Sequence, residues 1–224
     1  MIIIIIILIC IIFLLTIKST SRFTNKGYAN INDRYTKPIV KPNIITPTEA
    51  QNILEKASKS FEDSKILSGT DTNIRKSQTT WIYPSDNIHV YNIINRICKE
   101  YNYPFENAEP LQVVKYEPGG FYNDHHDSCC DDNPKCDEFI QKSGQRVLTV
   151  LIYLNDNFTD GGTQFTELNE IIKPNKYSGI IFRPLADDSS QCHPLALHKG
   201  MPVTSGVKYV CNIWIREKSH PHLR

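Results

Sequence analysis

L-Q-V-V-K-Y-E-P-G-G-F-Y-N-D-H-H-D, residues 111–127, decides how this chain folds. Its first seven residues are a β-type run ending at Glu117. Pro118, Gly119 and Gly120 then break it, because proline lacks a ladder donor and glycine tolerates turn geometry. Three further β runs follow: R-V-L-T-V-L-I-Y-L at 146–154, S-G-I-I-F-R-P at 178–184 and V-K-Y-V-C-N-I-W-I at 207–215. Gly, Pro, Asn and Asp clusters separate them. No helix of useful length is read between these runs, so a parallel βαβ sheet is excluded and an antiparallel sandwich or jelly roll is expected.

Upstream the pattern is helical. Thr46-Pro47-Thr48-Glu49 has the order of a helix start: a capping threonine, proline at the first helical position and glutamate closing a capping box. Ala50, Ile53, Leu54, Ala57 and Phe61 recur at helical spacing. A second helix is expected to begin near Asp86, with Val90, Ile94 and Ile97 on one stripe. Residues 46–110 are therefore read as helical support for a β domain over 111–218, with 219–224 as a tail. Residues 18–45 are polar, carry Pro38 and Pro42 and show no sustained period, which reads as a linker or extended lead-in.

The first 17 residues are an apolar membrane anchor or a signal segment. As a helix, residues 2–17 span ~24 Å, against a hydrocarbon core of ~30 Å. Lys18, Arg22 and Lys26 follow this run, and by the positive-inside rule would leave the β domain in the cytosol. The sequon Asn157-Phe158-Thr159 and the cysteines beyond the anchor favour a lumenal domain. The sequence is read as a membrane-anchored protein of the endoplasmic reticulum with a lumenal catalytic domain and its orientation open. Twenty-five basic residues balance 24 acidic ones, which excludes a polybasic nucleic-acid binder.

On a strand, His125 and Asp127 share one face and His126 points away. An imidazole beside a carboxylate supplies two donors of a 2-His-1-carboxylate facial triad, the arrangement that holds Fe(II) with three positions open. His198, in A-L-H-K-G, is the candidate for the second histidine, with His193 as its rival. In the last β run Lys208, Val210, Asn212 and Trp214 share a face. An ammonium on a buried face needs a counter-charge, and a dicarboxylate cosubstrate would supply one. Cys129, Cys130 and Cys136 have no standard zinc spacing and are read as disulfide-bonded or free; His220 and His222 are read as exposed and inert.

Residues 111–216 resemble the catalytic domain of the prolyl 4-hydroxylases, Fe(II)- and 2-oxoglutarate-dependent dioxygenases built on a double-stranded β-helix. The matching pieces are V-K-Y-E-P-G-G-F-Y-N-D-H-H-D at 114–127, G-Q-R-V-L-T-V-L-I-Y-L-N-D at 144–156 and D-G-G-T-Q-F at 160–165. They continue as K-P-N-K-Y-S-G-I-I-F-R at 173–183, L-H-K-G-M-P-V at 197–203 and G-V-K-Y-V-C-N-I-W-I-R at 206–216. Arg75-Lys76-Ser77 resembles the R-x-S that precedes the family's core.

The resemblance implies that His125, Asp127 and His198 bind iron. It implies that Lys208, helped by Tyr116 and Thr149, binds the distal carboxylate of 2-oxoglutarate. Tyr122 and Trp214 match catalytic aromatic positions near the iron, and Arg75 and Arg146 match positions near a peptide substrate. The expected chemistry is hydroxylation of peptidyl proline to 4-hydroxyproline, consuming O2 and 2-oxoglutarate, releasing succinate and CO2, with L-ascorbate keeping the iron reduced. The sequence departs from the family where Gly161-Gly162 runs directly into Thr163, where Tyr209 replaces a common tryptophan, and over the cysteine-bearing segment 128–143. Two alternatives stand beside this reading: an oxygenase of the same fold acting on lysine or a small molecule, and a non-catalytic jelly-roll binding module.

Overall fold

The computed structural model describes residues 27–66 and 69–221. Its strands are β1 (Ile39–Lys41), β2 (Glu62–Asp63), β3 (Arg75–Lys76), β4 (Gln78–Ile82), β5 (Leu111–Tyr116), β6 (Phe121–His125) and β7 (Arg146–Tyr153). They continue with β8 (Phe158–Asp160), β9 (Thr163–Phe165), β10 (Glu170–Ile172), β11 (Gly179–Phe182), β12 (His198–Gly200), β13 (Val203–Gly206) and β14 (Lys208–Arg216). Three α-helices accompany them: α1 (Pro47–Ala57), α2 (Ile88–Glu100) and α3 (Pro134–Ser143).

Seven strands form one sheet in the order β1-β11-β7-β14-β5-β4-β2, and five form a second in the order β10-β9-β12-β6-β3. Every paired strand in both is antiparallel. This is the jelly roll that the alternation of short β runs and breakers predicts.

The central strands β7 and β14 are buried on both faces. On the outer face Leu148, Val150, Ile152, Cys211, Ile213 and Ile215 pack with Ile53 of α1 and with Ile93, Ile94 and Ile97 of α2. On the inner face Leu151, Tyr153 and Val210 pack between the sheets with Phe165 and Phe182. Each fully buried aliphatic side chain contributes about 1.5–3 kcal/mol by leaving water, so the helices hold the large sheet rigid behind the site.

The helix ends follow from local chemistry. Thr46 accepts from the Glu49 amide at 3.2 Å, and Glu49 accepts from the Thr46 amide at 2.8 Å. Asn87 caps α2 by accepting from the amides of His89 and Val90.

Two expectations fail. Helix α3 lies between β6 and β7, where no helix was expected. Its sequence P-K-C-D-E-F-I-Q-K-S buries only Cys136 and Ser143, so it has no apolar stripe to read. It is held instead by the Asn133 cap, by the Cys129–Cys136 disulfide and by Arg216, which donates to the carbonyls of Phe139 and Gly144.

The described part of the 18–45 segment, read as a linker or extended lead-in, is tied to the fold. Strand β1 pairs with β11, and Tyr28 bridges to Cys192. Backbone pairing at a sheet edge demands no side-chain period, which is why the sequence carries none.

The second failed expectation is the membrane anchor. Among the described residues no helix is long and apolar enough to cross one. The apolar run at 2–17, with Lys18, Arg22 and Lys26 after it, lies outside the described residues. The membrane-anchored placement in the endoplasmic reticulum therefore has no support in the structure.

Candidate active site

Antiparallel pairing of β6 with β12 puts His125 and His198 directly opposite each other. Asp127 follows β6 as the chain leaves the sheet, and its carboxylate turns back between them. His125 Nε2 stands 4.0 Å from Asp127 Oδ1, and His198 Nε2 stands 3.9 Å from Oδ2. One donor atom from each of the three lies within 4.8 Å of the others.

The remaining ring nitrogens are tied to the backbone. His125 Nδ1 meets the Asn123 carbonyl at 2.8 Å, and His198 Nδ1 meets the Ala196 carbonyl at 3.0 Å. An Nδ1–H donated to a carbonyl leaves Nε2 as a lone pair aimed at the shared centre. Thr149 Oγ1 donates to Asp127 Oδ2 at 2.7 Å and fixes the carboxylate.

Electrostatics favour a ligand state. Burial alone would raise the Asp127 pKa, but His198, His125 and Arg146 outweigh it, and with the Thr149 hydrogen bond they hold the carboxyl down at about 2. Burial, then the neighbouring His198, pushes His125 well below the ordinary imidazole range. Two imidazoles and one anionic carboxylate therefore converge in one cavity, and this donor set fits Fe(II).

That cavity has a volume of about 490 Å³ and reaches from the triad to Lys208. Lys208 is 2% exposed. Its Nζ lies 5.1 Å from the Tyr116 ring centroid and 4.9 Å from that of Tyr153, with no carboxylate in ion-pair range among the described residues. Burial first, and then repulsion from Lys173, lowers its pKa to about 7. A buried ammonium without a counter-ion is costly, and a dicarboxylate entering the cavity removes that cost.

The sequence-derived candidates fall into three groups. His125, Asp127, His198, Tyr116, Tyr122, Trp214 and Lys208 line the cavity together. The Tyr122 ring stacks on His125 with centroids 3.6 Å apart. Arg75 and Arg146 line it too, but neither is free. Arg75 lies over the Tyr122 ring and donates to Ser77. Arg146 makes a two-point contact with Glu109, at 2.6 and 2.7 Å, and lies 3.5 Å over Trp214. A direct hold on a peptide would have to compete with these bonds.

Thr149 gives its hydroxyl to Asp127. Its strand partner on β14 is Trp214, whereas the position nearest Lys208 on β7 is Tyr153. Four residues of strand, ~13 Å, separate the two. Tyr153 and Thr163, whose hydroxyls bond to each other at 2.8 Å, were missed. The period of two running through 149, 151 and 153 would have found Tyr153.

His193 is excluded as a ligand. Its Nε2 meets the Asp33 carbonyl, its Nδ1 accepts from the Leu195 amide and its ring stacks on Tyr35. His220 is buried, not exposed, and its charge acts on Glu109; His222 lies outside the described residues. The cysteines form two disulfides, Cys129–Cys136 and Cys130–Cys192, which sequence spacing did not specify.

A family profile described as the 2OG-Fe(II) oxygenase superfamily matches residues 111–216. Fold and donor set together define the class: this is an Fe(II)- and 2-oxoglutarate-dependent oxygenase. A protein of Acanthamoeba polyphaga mimivirus named as a prolyl 4-hydroxylase is 53% identical over 192 residues, covering 86% of this chain and 79% of that one. Prolyl 4-hydroxylase 1 of Arabidopsis thaliana is 31% identical, over 81% of this chain and 69% of its own. The viral collagen prolyl hydroxylase of Paramecium Bursaria Chlorella virus-1, solved with 2-oxoglutarate, superposes with a TM-score of 0.63 at 28% identity, over 81% of this chain and 96% of that one. The chain belongs to the prolyl 4-hydroxylase family.

Proposed function

We propose that this protein hydroxylates peptidyl proline at C4, consuming O2 and 2-oxoglutarate and releasing succinate and CO2. One oxygen atom enters the proline and the other enters succinate. The observation that carries the reading is the continuity of one cavity from the His125, Asp127 and His198 donors to the buried Lys208. Bound iron supplies the oxidising power that no side chain has.

The chain's own groups do the rest. His125, Asp127 and His198 would hold the metal. Lys208 pairs with the distal carboxylate, with the Tyr116 and Tyr153 rings walling its stem and Thr163 offering a hydroxyl nearby. Tyr122 and Trp214 present aromatic faces beside the metal. Arg75 and Arg146 keep those faces in place and border the path of the peptide. A proline-rich peptide is extended and has few side-chain handles, so it is read by shape and ring stacking. L-ascorbate serves as the reductant that returns oxidised iron to Fe(II).

The test supplies the anaerobic protein with Fe(II), ascorbate and 2-oxoglutarate, then air and either a proline-rich or a lysine-rich peptide. Succinate should rise with the proline-rich peptide, and mass spectrometry should find one added oxygen on proline. Oxygen on lysine, or none on any proline peptide while succinate accumulates, would sink the prolyl assignment and spare the iron chemistry.

A further inference from the structure

Cys130 lies shortly after Asp127 in the chain and Cys192 shortly before His198, so their disulfide joins the two segments that deliver these ligands. Both cysteines are buried, at 5% and 1% exposure. His126 reaches the same spot: one of its ring nitrogens and the two sulfur atoms lie within 4.8 Å of one another. His126 Nδ1 is buried and has no hydrogen-bond partner among the described residues. The Tyr28 ring packs edge-on against the imidazole, 5.3 Å between centroids. The oxygenase chemistry uses none of these three side chains.

We propose that His126, Cys130 and Cys192 form a second metal site, opened when their disulfide is reduced and suited to a zinc-like divalent cation. An imidazole with two thiolates is a donor set that a borderline-soft ion selects, whereas Fe(II) keeps to the harder triad. Zn–S bonds of about 2.3 Å and Zn–N bonds of about 2.0–2.1 Å place tetrahedral donors roughly 3.5–3.8 Å apart. The nitrogen lies within 4.8 Å of both sulfurs, so a shift of about 1 Å suffices there, while the two sulfurs must separate from bonding distance.

Exchange with a dithiol achieves that separation. Two electrons pass to the Cys130–Cys192 bond, two thiols form, and the dithiol leaves as a cyclic disulfide. Metal binding then displaces the two thiol protons, and water takes the fourth corner. The two ligand-bearing segments are thus clasped in both states, by the sulfur–sulfur bond when oxidised and by the ion when reduced.

Cobalt(II) is the probe, added anaerobically to the full-length chain, either oxidised or reduced by a dithiol that is then removed. Thiolate-to-cobalt charge transfer absorbs in the near ultraviolet, and the sulfur-free triad cannot produce it. The reduced protein should show this band, bind one more equivalent of cobalt than the oxidised protein, and lose the band when zinc is added. Cys192→Ser should lose band and extra equivalent, Cys136→Ser should retain both, and His126→Ala should bind the extra ion more weakly. A band that survives in Cys192→Ser, equal uptake in the two redox states, or undiminished affinity in His126→Ala would overturn the proposal. Should Cys192→Ser fail to fold, the oxidised and reduced wild-type proteins and His126→Ala still decide it.

Discussion

The two faces of β7 and β14 do opposite work with the same backbone. The outer face is aliphatic, and its Leu148, Val150, Ile152, Ile213 and Ile215 belong to the core cluster that α1 and α2 cover. The inner face mixes Leu151 and Val210 with Thr149, Lys208, Asn212 and Trp214. Burial is nearly equal: Ile213 is 0% exposed, Thr149 1% and Lys208 2%. Burial on one side is matched by packing. On the other it leaves an ammonium whose partner must come from outside the protein. A rigid, stable back thus allows an unfavourable front, and the two should separate under mutation.

The largest expected effect is on the inner side. His198→Ala should abolish succinate release while the unfolding midpoint and far-ultraviolet circular dichroism stay near those of the parent. Retained turnover would move the third ligand elsewhere, although His193 has no nitrogen free for the task. The matching outer-face change is Ile213→Ala, which leaves a cavity in the helix-backed core. It should cost about 2–5 kcal/mol of stability in urea unfolding. Turnover per folded molecule should be unchanged, and a large loss there would mean that the two faces are coupled.

A third expectation sharpens the contrast through the cosubstrate. A charge-assisted hydrogen bond is worth about 1.5–3 kcal/mol, so Lys208→Ala should weaken 2-oxoglutarate roughly ten- to a hundredfold. Burial lowers the Lys208 pKa to about 7, and only the charged form pairs with a carboxylate. Affinity in a calorimetric titration should therefore fall about tenfold per pH unit as pH rises above 7, and binding should take up protons. The ligand-free fold behaves oppositely. Its stability should increase from pH 7 toward the ordinary lysine range, where the unfolded chain binds the extra proton.

The last expectation concerns Thr149, whose effect is on the metal and not on the cosubstrate. Thr149→Val keeps the branched shape and removes the donor to Asp127, so Co(II) affinity should fall about 10–100-fold, as for other groups that orient a metal ligand. Thr149→Ser should restore it. A Val variant with parental metal affinity and a changed KM for 2-oxoglutarate would return Thr149 to the cosubstrate pocket.

Much of this was legible in the residues. Alternation in R-V-L-T-V-L-I-Y-L and V-K-Y-V-C-N-I-W-I carries the antiparallel sheet, since side chains two apart share a face whatever surrounds them. Thr46 and Glu49 carry the start of α1, because a capping box closes within one turn. The spacing of His125 and Asp127 and the shared face of Lys208 and Trp214 are equally local. The same logic failed for α3, which is held by a disulfide and by Arg216 from the last strand, and for His220, which is buried with its amide donating to the Glu106 carbonyl.

What the sequence by itself determined were features whose partners lie within a turn or along one strand. It determined the four long β runs, the capping box of α1, the two faces of the central pair and the kinds of side chain on each. Tertiary structure alone decided which distant residues meet. It set His198 opposite His125, turned the Thr149 hydroxyl to Asp127, consumed His193 in backbone bonds and paired Cys130 with Cys192. Those choices depend on strand order and register, and a one-residue shift in register would reverse the face of every side chain involved.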